Sequence, residues 1–228
     1  MFLFDPLYLG VLLTFVLSLW AQGMVASAYN KYSKVSTGTG VPASQMVRAL
    51  LNKNGCEQVS IDFSRGNGLS DHYDPRDNVM RLSQGVFSSD SIAAYGIAAH
   101  EAGHAMQYAQ GYLPLKIRSS LVPIANFGSS LAVPLFLIGL IFSLPEIAMA
   151  GAWVFLFVVL FHLVTLPVEL NASNRAMRAL EEGGFLEREE LKGARKVLNA
   201  AAMTYAAALL SSMMQWIRLM SIAGRRRR

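Results

Sequence analysis

The sequence predicts a mainly α-helical integral membrane protein with a small α+β part and three or four transmembrane helices. Of its 228 residues, 53% are hydrophobic and only 15% are charged, a balance that is too apolar for a typical soluble domain. The apolar residues are also collected into runs close to the roughly 20 residues that a spanning helix requires. The lipid bilayer is therefore the first partner that we expect.

Three uncharged runs predict spanning helices, and a fourth leaves the choice open: residues 7–26, 121–144, 147–168 and the alanine-rich stretch 198–217. The first run ends near Ala26-Ser27-Ala28, which resembles a signal-peptidase site. No Lys or Arg precedes that run, however, so we expect a retained anchor. The second and third runs predict a hairpin because only a short connection separates them. The fourth stretch would either span the membrane or pack against the other helices.

Basic residues predict the orientation, because lysine and arginine accumulate on the cytoplasmic side of a membrane. They flank the first three runs on the sides of residues 29–120 and 169–196, so both segments are expected in the cytoplasm. The arginines at 225–228 are expected to form a solvated or lipid-facing end. They lack the aromatic or glycine-rich companions of a nucleic-acid site, so we expect no nucleic-acid partner. The predicted parts are an N-terminal transmembrane anchor (1–28), a cytoplasmic α+β part (29–120), a transmembrane hairpin (121–168), a helix and loop (169–196) and a C-terminal alanine-rich helix with its basic tail (197–228).

The polar part begins with a predicted helix and two strands. Pro42 fits the first turn of a helix through MVRALL, which Asn54-Gly55 would end. VSIDFS at 59–64 alternates apolar and polar residues, as a half-buried strand does, and RGNG at 65–68 predicts a turn. VMRLS follows as a second short strand, so we expect a small β-hairpin or ribbon.

A second helix of the polar part is predicted from about Ser88-Ser89-Asp90 to about Gln110, where Gly111 would end it. The single cysteine, Cys56, excludes an internal disulfide and is expected to be a small buried residue.

The stretch HEAGH in this helix places His100 and His104 four residues apart, with Glu101 beside the first. Four residues advance a helix by about 6 Å and return nearly to the same face, so both imidazoles can bind one ion. Glu101 lies next to that face, where its carboxylate can act as a general base on a metal-bound water. Two histidines and a carboxylate without partners would be costly on such an apolar helix, which favours a metal site over a polar surface. Gly103 and the neighbouring alanines leave room for a substrate backbone or a packed helix.

A catalytic zinc needs three protein ligands and one open position, and no further histidine motif follows His104. The candidates for the third ligand are Glu169, His72, His162 and Glu146. Glu169 is favoured because it lies where the third run returns to the cytoplasmic side and begins the predicted helix ELNASNRAMRALEE. His72 is more typical of a residue that lines a cleft, His162 lies deep in a spanning run, and Glu146 is expected on the outer side.

These motifs resemble a known family. HEAGHAMQ, preceded by DHYDPRDNVMRLSQGVF and followed after a hairpin by PVELNASNRAM, is similar to the YugP-type neutral zinc metallopeptidases of bacterial membranes. The resemblance covers the chain from about Tyr29 to Met214. It extends distantly to the HtpX and CAAX-protease group of gluzincins, in which a glutamate of an E-x-x-A-D pattern completes the HExxH helix. That pattern falls here on Glu169, Ala172 and Ser173, and Ser173 departs from it because the wider group has aspartate there.

The resemblance implies a zincin-like cytoplasmic part in which Zn²⁺ is held by His100, His104 and Glu169. Asn171 or Asn174 would orient a ligand in place of the missing aspartate. Arg175 would stabilise the oxyanion of the reaction. The strand at 79–83 would hold an extended substrate by edge pairing.

The expected function is that of a multi-pass zinc metalloendopeptidase of the bacterial inner (plasma) membrane, which cleaves peptides or membrane proteins at the cytoplasmic face. The alternative is a zinc transporter or another zinc-binding membrane protein without hydrolysis, although such proteins carry ligands at the bilayer midplane on several helices. A site-2 type intramembrane protease is less similar, because that class takes a metal-binding aspartate from an Asp-Gly motif that is absent here. The sequence leaves the oligomeric state open.

Overall fold

The computed structural model describes residues 6–64 and 71–225, so the predicted turn at 65–68 lies outside the described residues. In chain order the elements are α1 (Pro6–Tyr32), α2 (Ala43–Lys53), β1 (Ser60–Ser64), β2 (His72–Asp74), β3 (Val79–Ser83), α3 (Gln84–Phe87), α4 (Ile92–Ala109), α5 (Leu113–Ile141), α6 (Pro145–Glu182) and α7 (Arg188–Arg225). The predicted mainly helical membrane fold with a small sheet is confirmed.

Four helices, α1, α5, α6 and α7, are long and apolar enough to cross a membrane by length and composition. The fourth apolar stretch is thus part of a 38-residue helix, which is also long and apolar enough to cross a membrane. Ala26-Ser27-Ala28 lies within α1.

One predicted boundary is wrong, because Glu169 does not begin a helix. α6 runs without interruption from Pro145 to Glu182 and contains Pro167. The first charged residue after an apolar run marks a change of surroundings, whereas helix continuity depends on the backbone hydrogen bonds on both sides of it.

The described chain forms two compact units. The first consists of residues 6–21, 113–168 and 203–225, and in it α5 and α6 pack closely at glycines. A Cβ at Gly151 would lie 2.6 Å from the backbone nitrogen of Phe136, and one at Gly139 would overlap the backbone of Ala148. Small residues that let helix backbones approach are typical of membrane helix pairs.

The second unit consists of residues 22–64, 71–112 and 169–202. Its three strands lie in the order β1-β3-β2, with β1 parallel and β2 antiparallel to β3. Both predicted strands are present, as β1 and β3, but they pair in parallel and so do not form the predicted hairpin. The antiparallel hairpin is formed by β3 with β2, a strand that was not predicted. The expectation that residues 79–83 offer an edge to a substrate is wrong, because β3 is the central strand and the two edge strands are β1 and β2.

The core of the second unit is built around α4. Leu50 and Leu51 of α2, together with Met80 and Leu82 of β3, are fully buried in the same cluster as the alanines of α4. α2 runs from Ala43 to Lys53, with Asn54 as its C-cap, so the predicted end is confirmed, whereas Pro42 is the N-cap and lies just before the first turn in which it was predicted. Because most buried side chains of α4 are alanines, neighbouring elements can approach its backbone closely.

The start of α4 is fixed by Ser91, one residue after the predicted caps. Its Oγ accepts a hydrogen bond from the backbone nitrogen of Ala94 at 3.2 Å, and the side chain is almost fully buried. Such an N-cap satisfies a backbone donor that has no partner within the helix.

Replacing Ser91 by alanine is expected to lower the free energy of unfolding by about 1 kcal/mol, because the cap is lost. Urea unfolding of the detergent-solubilised chain measures this change. Ser88→Ala is the matched control, since Ser88 is exposed and precedes the helix. Equal effects of the two substitutions would show that the cap contributes nothing.

Candidate metal centre

Two helices of the second unit bring together three side chains that can hold a metal ion. His100 and His104 lie on adjacent turns of α4, and Glu169 comes from α6. Glu169 Oε2 lies 3.2 Å from His100 Nε2 and 3.5 Å from His104 Nε2. Within residues 6–64 and 71–225, these three form the only group of at least three His, Cys, Asp or Glu side chains with metal-binding geometry.

Two of the three distances between these atoms fit a zinc ion, and all three atoms lie within 4.8 Å of one another. Nitrogen and oxygen ligands bind zinc at about 2.0–2.1 Å in a tetrahedral arrangement, so two ligand atoms stand about 3.3 Å apart. The two distances from Glu169 Oε2 lie on either side of that value. Two imidazoles and a carboxylate also match the donor set of a catalytic zinc, which keeps its fourth position open.

Each histidine also forms a side-chain hydrogen bond through Nδ1, the ring nitrogen that does not face Glu169. His100 Nδ1 lies 3.1 Å from Ser173 Oγ, and His104 Nδ1 lies 3.0 Å from Gln107 Oε1. These contacts leave both Nε2 atoms directed at Glu169. The rings meet edge to face with their centroids 4.8 Å apart.

Glu101 lies beside this group and is not part of it. Its side chain is buried, and its Oε2 accepts a hydrogen bond from the backbone nitrogen of Tyr73 in β2 at 3.0 Å. Burial raises the pKa of the Glu101 carboxyl, and the nearby imidazoles of His100 and His104 oppose that shift.

Asp71 fixes the position of β2, the strand that contacts Glu101. Its two carboxylate oxygens accept hydrogen bonds from the backbone nitrogen and the hydroxyl of Ser83, at 2.7 and 3.0 Å. This contact fastens the start of β2 to the end of β3 and so positions the Tyr73 nitrogen.

Asn171 and Arg175, both predicted site residues, lie in a hydrogen-bond network that ends at His104. Asn171 Oδ1 accepts from Gln107 Nε2 at 3.0 Å and from Arg175 Nε at 2.7 Å. Arg175 also donates to Gln110 Oε1 and lies over the ring of Tyr112. The guanidinium is thus engaged in this network.

The remaining candidates lie elsewhere. Asn174 is exposed on α6, and His72 is exposed on β2 and outside the cluster. His162 and Glu146 belong to the first unit, and neither is part of a metal-binding group among the described residues.

The sequence interpretation did not single out Gln107, and it treated Ser173 only as a departure from a family pattern. Ser173 occupies the place of the aspartate in that pattern, and its hydroxyl contacts His100 directly. Gln107 lies three residues after His104 and therefore nearly on the same helix face. That spacing is the signal that could have identified it.

A cavity of about 330 Å³ lies on the Glu101 side of α4. Ala105 and Tyr108, four and seven residues after Glu101, form part of its wall, and Tyr73 of β2 forms another part. Cys56, which is buried as predicted, also lines this cavity.

Comparison with known proteins agrees with this geometry. Residues 7–224 match the model of a family described as "putative neutral zinc metallopeptidase". The chain is 42% identical over 206 residues, 90% of its own length and 91% of the relative's, to "Putative membrane protease YugP" of Bacillus subtilis (strain 168). No solved structure matches. The protein is accordingly a multi-pass membrane member of the neutral zinc metallopeptidase family, and its cofactor is zinc.

Proposed function

We propose that the protein is a membrane zinc endopeptidase in which His100, His104 and Glu169 hold the metal and Glu101 is the general base. The observation that carries the proposal is the convergence of three ligand atoms from two helices, with a separate buried carboxylate beside them. When bound, zinc supplies Lewis acidity that lowers the pKa of a water to about 7 and polarises a carbonyl oxygen.

The other steps of the proposed reaction depend on side chains of the protein. Glu101 takes up the proton of the attacking water and returns it to the leaving amine, a role that suits a buried carboxylate held beside the two imidazoles. Ser173 and Gln107 keep the two imidazoles in the orientation that exposes Nε2. Glu169 contributes a negative charge that balances part of the charge of the metal.

The proposed substrate is an extended peptide segment that lies along β2. β2 is one of the two edge strands of the sheet, and it is the one whose Tyr73 nitrogen donates to Glu101, so this edge lies next to the proposed base. Peptides add readily to such edges through main-chain hydrogen bonds. The cavity bordered by Tyr73 and Tyr108 is large enough for one side chain of that peptide.

We propose that this reaction takes place at the cytoplasmic face of the plasma membrane. Basic residues next to the apolar helices support this orientation, namely Lys31, Lys34, Lys116, Arg175 and Arg178. Glu169 is the first charged residue after the uncharged run at 147–168. This location favours substrates that approach from the bilayer, including membrane proteins.

Glu101→Gln tests the mechanism. The amide keeps an oxygen that can accept from the Tyr73 nitrogen but cannot take up a proton. Zinc content is expected to stay at the wild-type level while cleavage of labelled casein by the detergent-solubilised protein falls by about 10²–10⁴-fold. Glu57→Gln, a change at an exposed glutamate of the same unit, is the control and is expected to leave both unchanged.

Cleavage retained by Glu101→Gln would reject the assigned base. A zinc-loaded wild type that cleaves nothing, but carries zinc into proteoliposomes in a manner dependent on His162, would instead support the non-hydrolytic alternative.

A further inference from the structure

We propose that Arg175, through Asn171 and Gln107, fixes the direction of a hydrogen-bond chain that forces His104 to present its Nε2 lone pair to the metal. This inference rests on the proposed function, because it assumes that His104 is a ligand. It assigns a positioning role to three residues that do not themselves contact the ion.

The direction of the chain starts at Arg175, because a guanidinium donates hydrogen bonds and accepts none. Its Nε lies 2.7 Å from a side-chain atom of Asn171, and that atom must therefore be the acceptor oxygen Oδ1. The other possible orientation of the Asn171 amide would place two donors against each other. Arg175 is itself held by Gln110 and by the ring of Tyr112, which limits its freedom to move away.

The same oxygen determines the orientation of Gln107. The Gln107 amide approaches Asn171 Oδ1 at 3.0 Å, and only its NH₂ group can donate to an acceptor, so Nε2 faces Asn171. The carbonyl oxygen of Gln107 is then directed at His104 Nδ1, 3.0 Å away. Gln107 is completely buried, so the cost of an unsatisfied polar group keeps this arrangement in place.

The last step selects the tautomer of His104. Facing a carbonyl oxygen, Nδ1 must carry a proton and donate it, which leaves the lone pair of neutral imidazole on Nε2. That nitrogen is the one directed at Glu169. The tautomer of His104 is thus determined by the guanidinium of Arg175, which lies at the other end of a chain of four hydrogen-bonded side chains.

His100 provides an internal comparison. Its Nδ1 faces the hydroxyl of Ser173, which can donate or accept, so this contact alone does not select a tautomer. The network behind His104 therefore contributes a directional constraint that the partner of His100 does not.

The test compares zinc affinities of the full-length chain in detergent, measured by competition with a chromophoric chelator. Asn171→Leu removes the shared acceptor and is expected to weaken zinc binding by about 10–100-fold, the usual effect of losing a group that orients a ligand. Asn171→Asp keeps an oxygen that accepts from both Gln107 and Arg175, and its affinity is expected to stay within about threefold of wild type. Asn174→Leu, the same change at an exposed position of α6, is the control.

A second variant tests the same hydrogen-bond chain in case Asn171→Leu does not fold. Gln107→Met has a similar side-chain size without donor or acceptor, and it is expected to weaken zinc binding to a similar degree. Thermal unfolding in excess chelator shows whether each zinc-free variant is folded, and only folded variants are compared.

The outcomes separate the two proposals. Wild-type affinity in folded Asn171→Leu or Gln107→Met overturns the positioning role, and so does an Asn171→Asp variant as weak as the leucine variant. Absence of zinc binding by the wild type contradicts the proposed metal site itself.

Discussion

Replacing Glu169 by alanine is expected to abolish tight zinc binding while the zinc-free chain stays folded. The Oε2 atom of Glu169 lies within 3.5 Å of both imidazole Nε2 atoms, so it would complete the ligand set of the proposed zinc site. Loss of a group that only orients a ligand weakens metal binding by about 10–100-fold, and loss of the ligand itself is expected to exceed that range. Glu169 is only 2% exposed, so the substitution also removes a buried charge, which offsets part of the hydrogen bonding lost in the zinc-free protein.

The measurement is metal analysis together with chelator competition on the purified chain, with thermal unfolding in chelator to verify folding. Glu181→Ala is the matched control, because Glu181 is exposed on the same helix. Near-wild-type zinc affinity of a folded Glu169→Ala variant would exclude this carboxylate as the third ligand and return attention to His72.

Gly103→Ala is expected to destabilise the fold by about 1–3 kcal/mol and to weaken zinc binding as well. A Cβ at this position would overlap the carbonyl oxygen of Ala172 and would lie 3.0 Å from its carbonyl carbon. Helix propensity alone favours alanine by about 1 kcal/mol, but a backbone neighbour cannot yield as a flexible side chain does. The overlap can be relieved only if α4 and α6 move apart, which would separate the two histidines from Glu169.

Gly96→Ala is the control for this prediction. Gly96 lies in the same helix, but a Cβ there would meet Ala194 at 3.5 Å, an ordinary van der Waals distance. This variant is expected to be as stable as wild type or more stable. Chemical unfolding and zinc titration of both variants decide the matter, and equal behaviour would show that the contact between Gly103 and Ala172 sets no limit on the site.

The parts of the site that depend on local spacing could be predicted from the sequence. The pairing of His100 with His104 follows from helix periodicity, and the position of Glu101 beside them follows from the same geometry. Glu169 could be proposed because it is the first acid after a long apolar run and matches a family pattern. The structure brings these four side chains together.

The groups that support the site could not be predicted in the same way. The contact between Ser173 and His100 joins residues 73 positions apart. In the sheet, β1 pairs in parallel with β3, although β2 lies between these two strands in the sequence. A single sequence contains no period that specifies such pairings. The continuity of α6 was missed for a different reason, because hydropathy changes at Glu169 while the backbone hydrogen bonding does not.

The hydrogen bond from the Tyr73 nitrogen to Glu101 has a further consequence for turnover. One N–H group cannot donate strongly to two acceptors at once, so a peptide that pairs with β2 at this residue competes with the carboxylate for the same proton donor. Docking of a peptide carbonyl there would release Glu101 from its resting contact. In the proposed mechanism, binding of a peptide at this strand edge would therefore be coupled to release of Glu101, so the free protein would be less reactive towards solvent than the substrate-bound one.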